Sequence, residues 1–301
     1  MSSPSAESPS PHVAVVAHRD KLRPRDAKRL RAALCEAGYE TVPWFEISKG
    51  SAGTKAGRRA MKTGARVVLV CGGDGTVRAV GEALVDGDVR LAVLPTGTAN
   101  LFAGAFGLPS DPNDVIELIK AGTTRVIDTG ECNGQTFSVM AGVGFDAAML
   151  DGADAQKERL GTLAYVRAGV HEARTHPSFT ARVVVDGTTF FEGDATCVLV
   201  GNIGTLKGGV QAFPDASVTD GILDVAVITA TGMRQWAALM VSAVRRRQRS
   251  SAHALIGRGA DVVIDLDRKH LYELDGGTKG KSKKLRLAAR PHSLVVCAPA
   301  T

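Results

Sequence analysis

Residues 67–76 read Val-Val-Leu-Val-Cys-Gly-Gly-Asp-Gly-Thr: apolar β-formers that run into a turn of three glycines, one carboxylate and one hydroxyl. Val77 to Leu84 continue as a predicted helix with Val77, Val80, Ala83 and Leu84 on one face. Strand, glycine turn and helix together present backbone N–H groups and a helix N-terminus to a phosphate. Gly72, Gly73 and Gly75 let backbone approach an anion where a Cβ would collide. Asp74 stands against this on electrostatic grounds, because a bare carboxylate repels phosphate. A Mg²⁺ between the two, or a hydroxyl to deprotonate, accounts for it. The plain alternative is an ordinary strand-to-helix turn with Asp74 as the helix N-cap.

A second segment, Leu91-Ala-Val-Leu-Pro-Thr-Gly-Thr-Ala-Asn100, is again an apolar strand that opens into a small, hydroxyl-rich turn. Thr96, Thr98 and Asn100 supply donors suited to phosphate or ribose oxygens. Two successive parallel strands put both loops at one sheet edge, beyond their carboxyl ends, where open α/β sheets bind ligands. Neither loop is a Walker A motif or a dinucleotide G-x-G-x-x-G.

Further short motifs follow in order: Asp128-Thr129-Gly130, Gly142-Val143-Gly144-Phe145-Asp146, Gly201-Asn202, Asp220-Gly221-Ile222-Leu223-Asp224 and Leu274-Asp275-Gly276. With the two loops, this series resembles the diacylglycerol kinase catalytic-domain family of bacterial lipid kinases over roughly residues 12–299. That family is related in fold to sphingosine kinases, NAD kinases and phosphofructokinases. The resemblance implies transfer of the γ-phosphoryl group of Mg-ATP to a lipid hydroxyl, most simply that of diacylglycerol, giving phosphatidate. It implies that Gly72, Gly73, Gly75 and Thr76 cradle the phosphates and that Thr96, Gly97, Thr98 and Asn100 complete the nucleotide site. Asp74 would hold the catalytic Mg²⁺, directly or through water, or act as base. Ser217, Asp220 and Ile222 match positions that hold a second, structural Mg²⁺ through one carboxylate and backbone carbonyls; a plain Asp-Gly turn is the alternative. The implied partner is a lipid at a membrane surface, and a homodimer is allowed.

Three departures stand out. Many relatives read Asp-Gly-Glu near the C-terminus, that Glu being the proposed general base, whereas here Leu274-Asp275-Gly276 is followed by Gly277. Glycine accepts no proton, so Asp275 is the expected substitute base, then Asp74, with Glu273 a distant third. His18-Arg19-Asp20-Lys21 replaces the family's Asn-Pro turn, offering Arg19 or Lys21 to phosphate, and Leu101 stands where many members carry Asp. The second reading is therefore a catalytically weak nucleotide- and lipid-binding member, or a kinase of another lipid alcohol.

The elements that must position these loops follow from punctuation. Strands at His12–Ala17 and Glu40–Glu46 alternate with helices at Pro24–Ala37 and Ala56–Thr63, and Asp111-Pro112 opens a helix that ends at Gly122. This alternation predicts a doubly wound α/β nucleotide-binding domain over 12–127. Beyond it, Asn133-Gly134 and Asp186-Gly187 read as hairpin turns, and Thr180–Val185, Cys197–Asn202 and Leu223–Ile228 as strands. Helical stretches interrupt at about 155–173 and 233–247. A β-rich, sandwich-like domain is expected over 128–287, with a strand at about 288–299 returning to the first domain and a disordered tail at 1–11.

Composition is compatible: 301 residues, 44% hydrophobic, with 34 glycines, enough for one large or two ordinary domains. No apolar run approaches the ~20 residues that span a bilayer, and no secretory signal is read. Five scattered cysteines without a C-x-x-C pair suggest free thiols in a reducing, cytoplasmic setting. The net charge of +6 is concentrated in Arg19–Arg31, Arg245–Arg249 and Lys279–Arg286, either solvated faces or contacts to anionic headgroups at the inner membrane face. These runs lack interleaved aromatics, and no helix-turn-helix or zinc-finger pattern occurs, so nucleic acid is not an expected partner.

Overall fold

The computed structural model describes residues 12–39, 41–49, 52–144, 178–206, 210–232, 234–236, 238–239 and 253–300. The helix expected at about 155–173 and the tail 1–11 lie outside these residues. Of the helix expected at 233–247, only 234–236 and 238–239 are described, and they are helical.

The first half comprises β1 (Val13–His18), α1 (Pro24–Glu36), β2 (Trp44–Ile47), α2 (Gly53–Met61), β3 (Val67–Gly72), α3 (Asp74–Leu84), β4 (Arg90–Pro95), α4 (Leu101–Ala105) and α5 (Pro112–Ala121). The strands run parallel in the order β2-β1-β3-β4. β1 and β3 are buried at every position, as strands covered on both faces must be. Val13, Val15, Val67 and Leu69 meet Leu30 and Leu34 of α1 and Ile116 and Ile119 of α5 on one face. The alternate residues Ala14, Val16, Val68 and Val70 meet α2 and α3 on the other, through Ala56, Ala60, Val77, Val80 and Leu84. The Asp111 carboxylate accepts the Asn113 N–H at 2.9 Å to cap α5, and Gly122 ends it at φ 68°. α3 begins earlier than its apolar spacing indicates. Gly73 is its N-cap, so Asp74 lies in the first turn with its carboxylate released for other partners.

The second half is almost wholly antiparallel: β5 (Thr124–Cys132), β6 (Gln135–Phe137), β7 (Met140–Val143), β8 (Phe179–Val185), β9 (Thr188–Ala195), β10 (Cys197–Gly201), β11 (Thr205–Leu206), β12 (Val210–Gln211), β13 (Leu223–Ile228), β14 (Ala254–Gly259), β15 (Asp261–Leu274) and β16 (Gly277–Cys297). The order β14-β13-β10-β7-β15-β16 forms one sheet, and the β8–β9 hairpin adds to β15. Val143, Phe179, Val183, Val198, Val225, Ile264 and Leu285 fill the sandwich between them. Asn133-Gly134, Asp186-Gly187 and Asp275-Gly276 each hold two positive-φ residues in succession, the backbone of a tight hairpin matched to strand twist. The fold is thus a doubly wound α/β half followed by a β-rich, sandwich-like half. No helix among the described residues is long and apolar enough to cross a membrane.

β16 belongs to both halves. It leaves its hairpin with β15, breaks register between Arg290 and Leu294, and ends between β5 and β4, with Val296 opposite Leu91. Asp128 holds this break. Its fully buried carboxylate accepts the N–H of Gly221 and of His292, each at 2.7 Å, and its own N–H reaches the Val218 carbonyl. A hydrogen bond to a charged acceptor contributes ~1.5–3 kcal/mol, and two are lost here. Asp128→Ala is therefore expected to lose ~3 kcal/mol in urea unfolding, while Asp128→Asn, which still offers one acceptor oxygen, loses about half as much.

Candidate active site

The two loops foreseen from the sequence meet at the carboxyl ends of β3 and β4. Thr96 N–H donates to the Gly72 carbonyl at 3.0 Å. A Cβ at Gly97 would stand 2.4 Å from the Cα of Gly73, and one at Gly73 would stand 3.1 Å from the Cα of Gly97. Backbone lies on backbone here: the clash at Gly97 requires glycine, and the fit at Gly73 is tight. Gly72 is similarly restricted, since its Cβ would meet the buried Thr76 side chain at 2.6 Å. Above Gly75 there is open space.

Asn100, at φ 49°, closes the second loop: its amide accepts from Gly97 N–H at 2.9 Å and donates to the Gly97 carbonyl at 2.8 Å. The donor read from the sequence as a ligand contact thus holds its own turn. Thr98 sits at the exposed tip of that turn. The Thr96 hydroxyl is buried without a hydrogen-bond partner among the described residues. Such a group in a loop of this kind is suited to a ligand oxygen.

Asp74 joins the two loops through α4. Its carboxylate accepts the Phe102 N–H at 3.0 Å and is also bonded by the Leu101 N–H. Burial raises its carboxyl above the ordinary range, opposed by those N–H groups and by the charge of Lys21. The Leu101 side chain is buried in the core, so the position where many relatives carry Asp contributes packing here. Lys21, in the turn after β1, brings its Nζ to 3.0 Å from where a Gly73 Cβ would stand. An ammonium, a carboxylate, an unpaired hydroxyl and bare loop backbone thus converge, and this set fits a nucleotide phosphate with its Mg²⁺.

Asp275 does not join them as a base. The side chain is buried at 3% exposure, and its carboxylate accepts three backbone N–H groups: Ser138 at 2.8 Å, Val139 at 2.8 Å and Met140 at 2.9 Å. It ties the β15–β16 turn to the entry of β7, and this corrects the expectation of a substitute base. Asn202 completes the joint by donating to the carbonyls of Asp128 and Ser138. Arg78, missed from the sequence, links α3 to β6 by donating to the Thr136 carbonyl and pairs with Glu82 one turn along its own helix; its only sequence signal is that i,i+4 spacing.

Ser217, Asp220 and Ile222 lie together before β13, but they do not fit a divalent cation. One Asp220 oxygen is hydrogen-bonded by the guanidinium of Arg258 and the other faces the Ile222 N–H at 3.3 Å. The Ser217 hydroxyl pairs with that of Thr219. The metal expectation is corrected at its carboxylate, which an arginine already holds; for Ser217 and Ile222 that expectation concerns backbone carbonyls only. Burial raises the neighbouring Asp224 to about 6, with Arg258 lowering it and Asp220 and Asp215 raising it.

Burial likewise pushes Asp275 up to about 6, against the pull of its three N–H partners and Arg78. Its folded value thus lies above the ordinary ~4 of an unfolded aspartate. The native state then binds the proton more tightly, and this contribution to stability is lost as pH rises from about 4 through about 6. Urea unfolding at pH 4.5 and 7 is expected to show that loss in the wild type. Asp275→Asn should flatten the slope while lowering stability at both pH values through lost N–H acceptors.

Comparison with known proteins agrees with this geometry. Residues 19–132 match the diacylglycerol kinase catalytic domain, and residues 138–298 match the YegS C-terminal NAD kinase beta sandwich-like domain. A probable YegS-like lipid kinase of Pseudomonas aeruginosa is 34% identical over 220 residues, covering 72% of each chain. A diacylglycerol kinase of Bacillus subtilis is 29% identical over 245 residues, covering 80% of each. An uncharacterized Synechocystis protein is 32% identical over 239 residues; the match spans 77% of this chain and about half, 54%, of that protein. In fold, a diacylglycerol kinase from Bacillus anthracis superposes with a TM-score of 0.74 at 19% identity, covering 97% of this chain and 98% of that one. An Archaeoglobus fulgidus NAD kinase in complex with ATP gives 0.53 at 12%, covering 94% and 92%. Both halves match in order, and the chain belongs to the diacylglycerol kinase and YegS-like family of lipid kinases.

Proposed function

We propose that this protein transfers the γ-phosphoryl group of Mg-ATP to a lipid hydroxyl, with diacylglycerol the first acceptor to test. The observation that carries this reading is the contact of Gly73 on Gly97, which sets two bare loops side by side under the Lys21 ammonium with the Thr96 hydroxyl unpaired among the described residues. Phosphoryl transfer needs positioning and charge neutralisation more than covalent help. The loop N–H groups and Lys21 would hold the phosphates, and Asp74 would hold the metal. Bound Mg²⁺ would neutralise charge on the β- and γ-phosphates. The lipid oxygen forms the new bond to the γ-phosphorus as the bond to the bridging oxygen breaks, releasing ADP. The hydroxyl proton passes to water, because a carboxylate that holds the metal is not free to take it.

A second reading is favoured by Gly277 and by the commitment of Asp275 to backbone donors. On that reading the chain binds nucleotide and lipid but transfers phosphate weakly. Labelled phosphate transfer in mixed micelles separates the two. The kinase reading expects label in phosphatidate and a kcat loss of ~10²-fold or more in Asp74→Asn, whose amide oxygen still accepts the Phe102 N–H. ATP binding by wild type with no transfer to diacylglycerol or other lipid alcohols would favour the second.

The membrane partner rests on the β15–β16 hairpin. Residues 267–271 of β15 lie between the stretches paired with β8 and with β7, and they carry Arg268, Lys269 and Leu271, the last 55% exposed. Lys281 stands opposite Leu271, with exposed Lys283 beyond it. Each cation near an anionic leaflet contributes ~1 kcal/mol. Sedimentation with phosphatidylglycerol vesicles, absent with phosphatidylcholine, is the expected result. The double variant Lys281→Glu/Lys283→Glu should lower the bound fraction ~10-fold or more.

A further inference from the structure

The place before β13 that the family resemblance assigns to a second cation is filled here by a side chain of the protein. Arg258 stands directly across the β13–β14 ladder from Asp224, so strand register fixes where its side chain starts. Its Nε donates to Asp224 Oδ1 at 3.1 Å, and its Nη2 reaches past that residue to Asp220 Oδ2. The Asp224 side chain is 3% exposed, whereas Arg258 and Asp220 are about one-third exposed. Asp215 adds a third negative charge to the neighbourhood. One guanidinium thus neutralises a buried carboxylate and bridges it to the turn at Asp220-Gly221.

That turn is not peripheral. Gly221 N–H is one of the two donors to Asp128, the residue that holds the break in β16. Whatever cation steadies Asp220 therefore steadies the crossing from the β-rich half back to the nucleotide-binding half. A planar fork with two parallel donors suits two carboxylates set side by side, and a guanidinium sheds water more readily than Mg²⁺. An arginine is also present at every metal concentration. Next to its charge a divalent ion would meet repulsion and a carboxylate already taken.

We infer that Arg258 replaces the second divalent cation of the family, so that the folded state of this protein is independent of free Mg²⁺. On the kinase reading, magnesium then arrives only with the nucleotide; the structural claim does not rest on that reading.

Thermal unfolding without nucleotide tests the inference directly. Wild-type protein is expected to unfold at the same temperature in chelator and in millimolar MgCl₂. Arg258→Ala leaves Asp224 buried without its partner and is expected to lower Tm by ~5 °C or more in chelator. Millimolar Mg²⁺ should restore at least half of that loss in the variant alone, because the vacated carboxylates can then take the ion. Arg258→Lys, a cation without the fork, should fall between the two and respond little to Mg²⁺. A wild-type Tm that falls in chelator and recovers with Mg²⁺ would overturn the inference. So would an Arg258→Ala variant whose stability in chelator equals that of wild type. Should Arg258→Ala not fold, the wild-type comparison and Arg258→Lys still decide it, and neither involves transfer activity.

Discussion

Buried carboxylates that accept backbone N–H groups hold this molecule in register. Asp74 reaches the first turn of α4, Asp128 reaches Gly221 and His292, and Asp275 reaches Ser138, Val139 and Met140. Each joins segments far apart in the chain, and each accepts two or more backbone donors. A charged acceptor makes such bonds stronger than neutral ones, and the low local dielectric strengthens them further. The opposing cost is desolvation, visible in the raised carboxyls of Asp74 and Asp275. The short motifs that identify the family are in large part these anchors.

The edge where the β3 and β4 loops meet depends on the same economy of backbone. Gly73 and Gly97 touch at their α-carbons, which brings the β3 and β4 loops closer than any side chain would allow. Asn100 spends its amide closing its own loop, and the Thr96 hydroxyl stays without a hydrogen-bond partner among the described residues. Lys21 supplies positive charge from a third loop, where the family's Asn-Pro turn is missing. With Leu101 in the core and Gly277 without a carboxylate, Asp74 is a carboxylate this edge keeps without those two family carboxylates. Arg258 shows the same tendency at a distance, a fixed side chain taking the part of an ion.

Much of the α/β half was legible because its signals are local. Asp111-Pro112 and Gly122 mark the ends of α5, since capping involves residues two or three apart. The apolar run Val67–Val70 marks a strand buried on both faces. The start of α3 was not legible: the apolar face begins at Val77, whereas the helix begins at Asp74, because a first turn at the end of a strand need not be apolar. β15 and β16 were read only in part. Their alternation is interrupted at 266–269 and 290–294, and no period survives a register break.

The sequence by itself determined the two glycine loops, the order of motifs and hence the family, because these depend on residue type and short spacing. It named Asp275 as a base and Ser217, Asp220 and Ile222 as metal ligands, since a carboxylate carries no local mark of what it will face. Only the tertiary structure decided those roles. Residues 135 and more positions from Asp275 donate to its oxygens, and a strand 34 positions beyond Asp224 delivers Arg258. Such pairings are set by strand order and register along one continuous sheet, which no local spacing encodes.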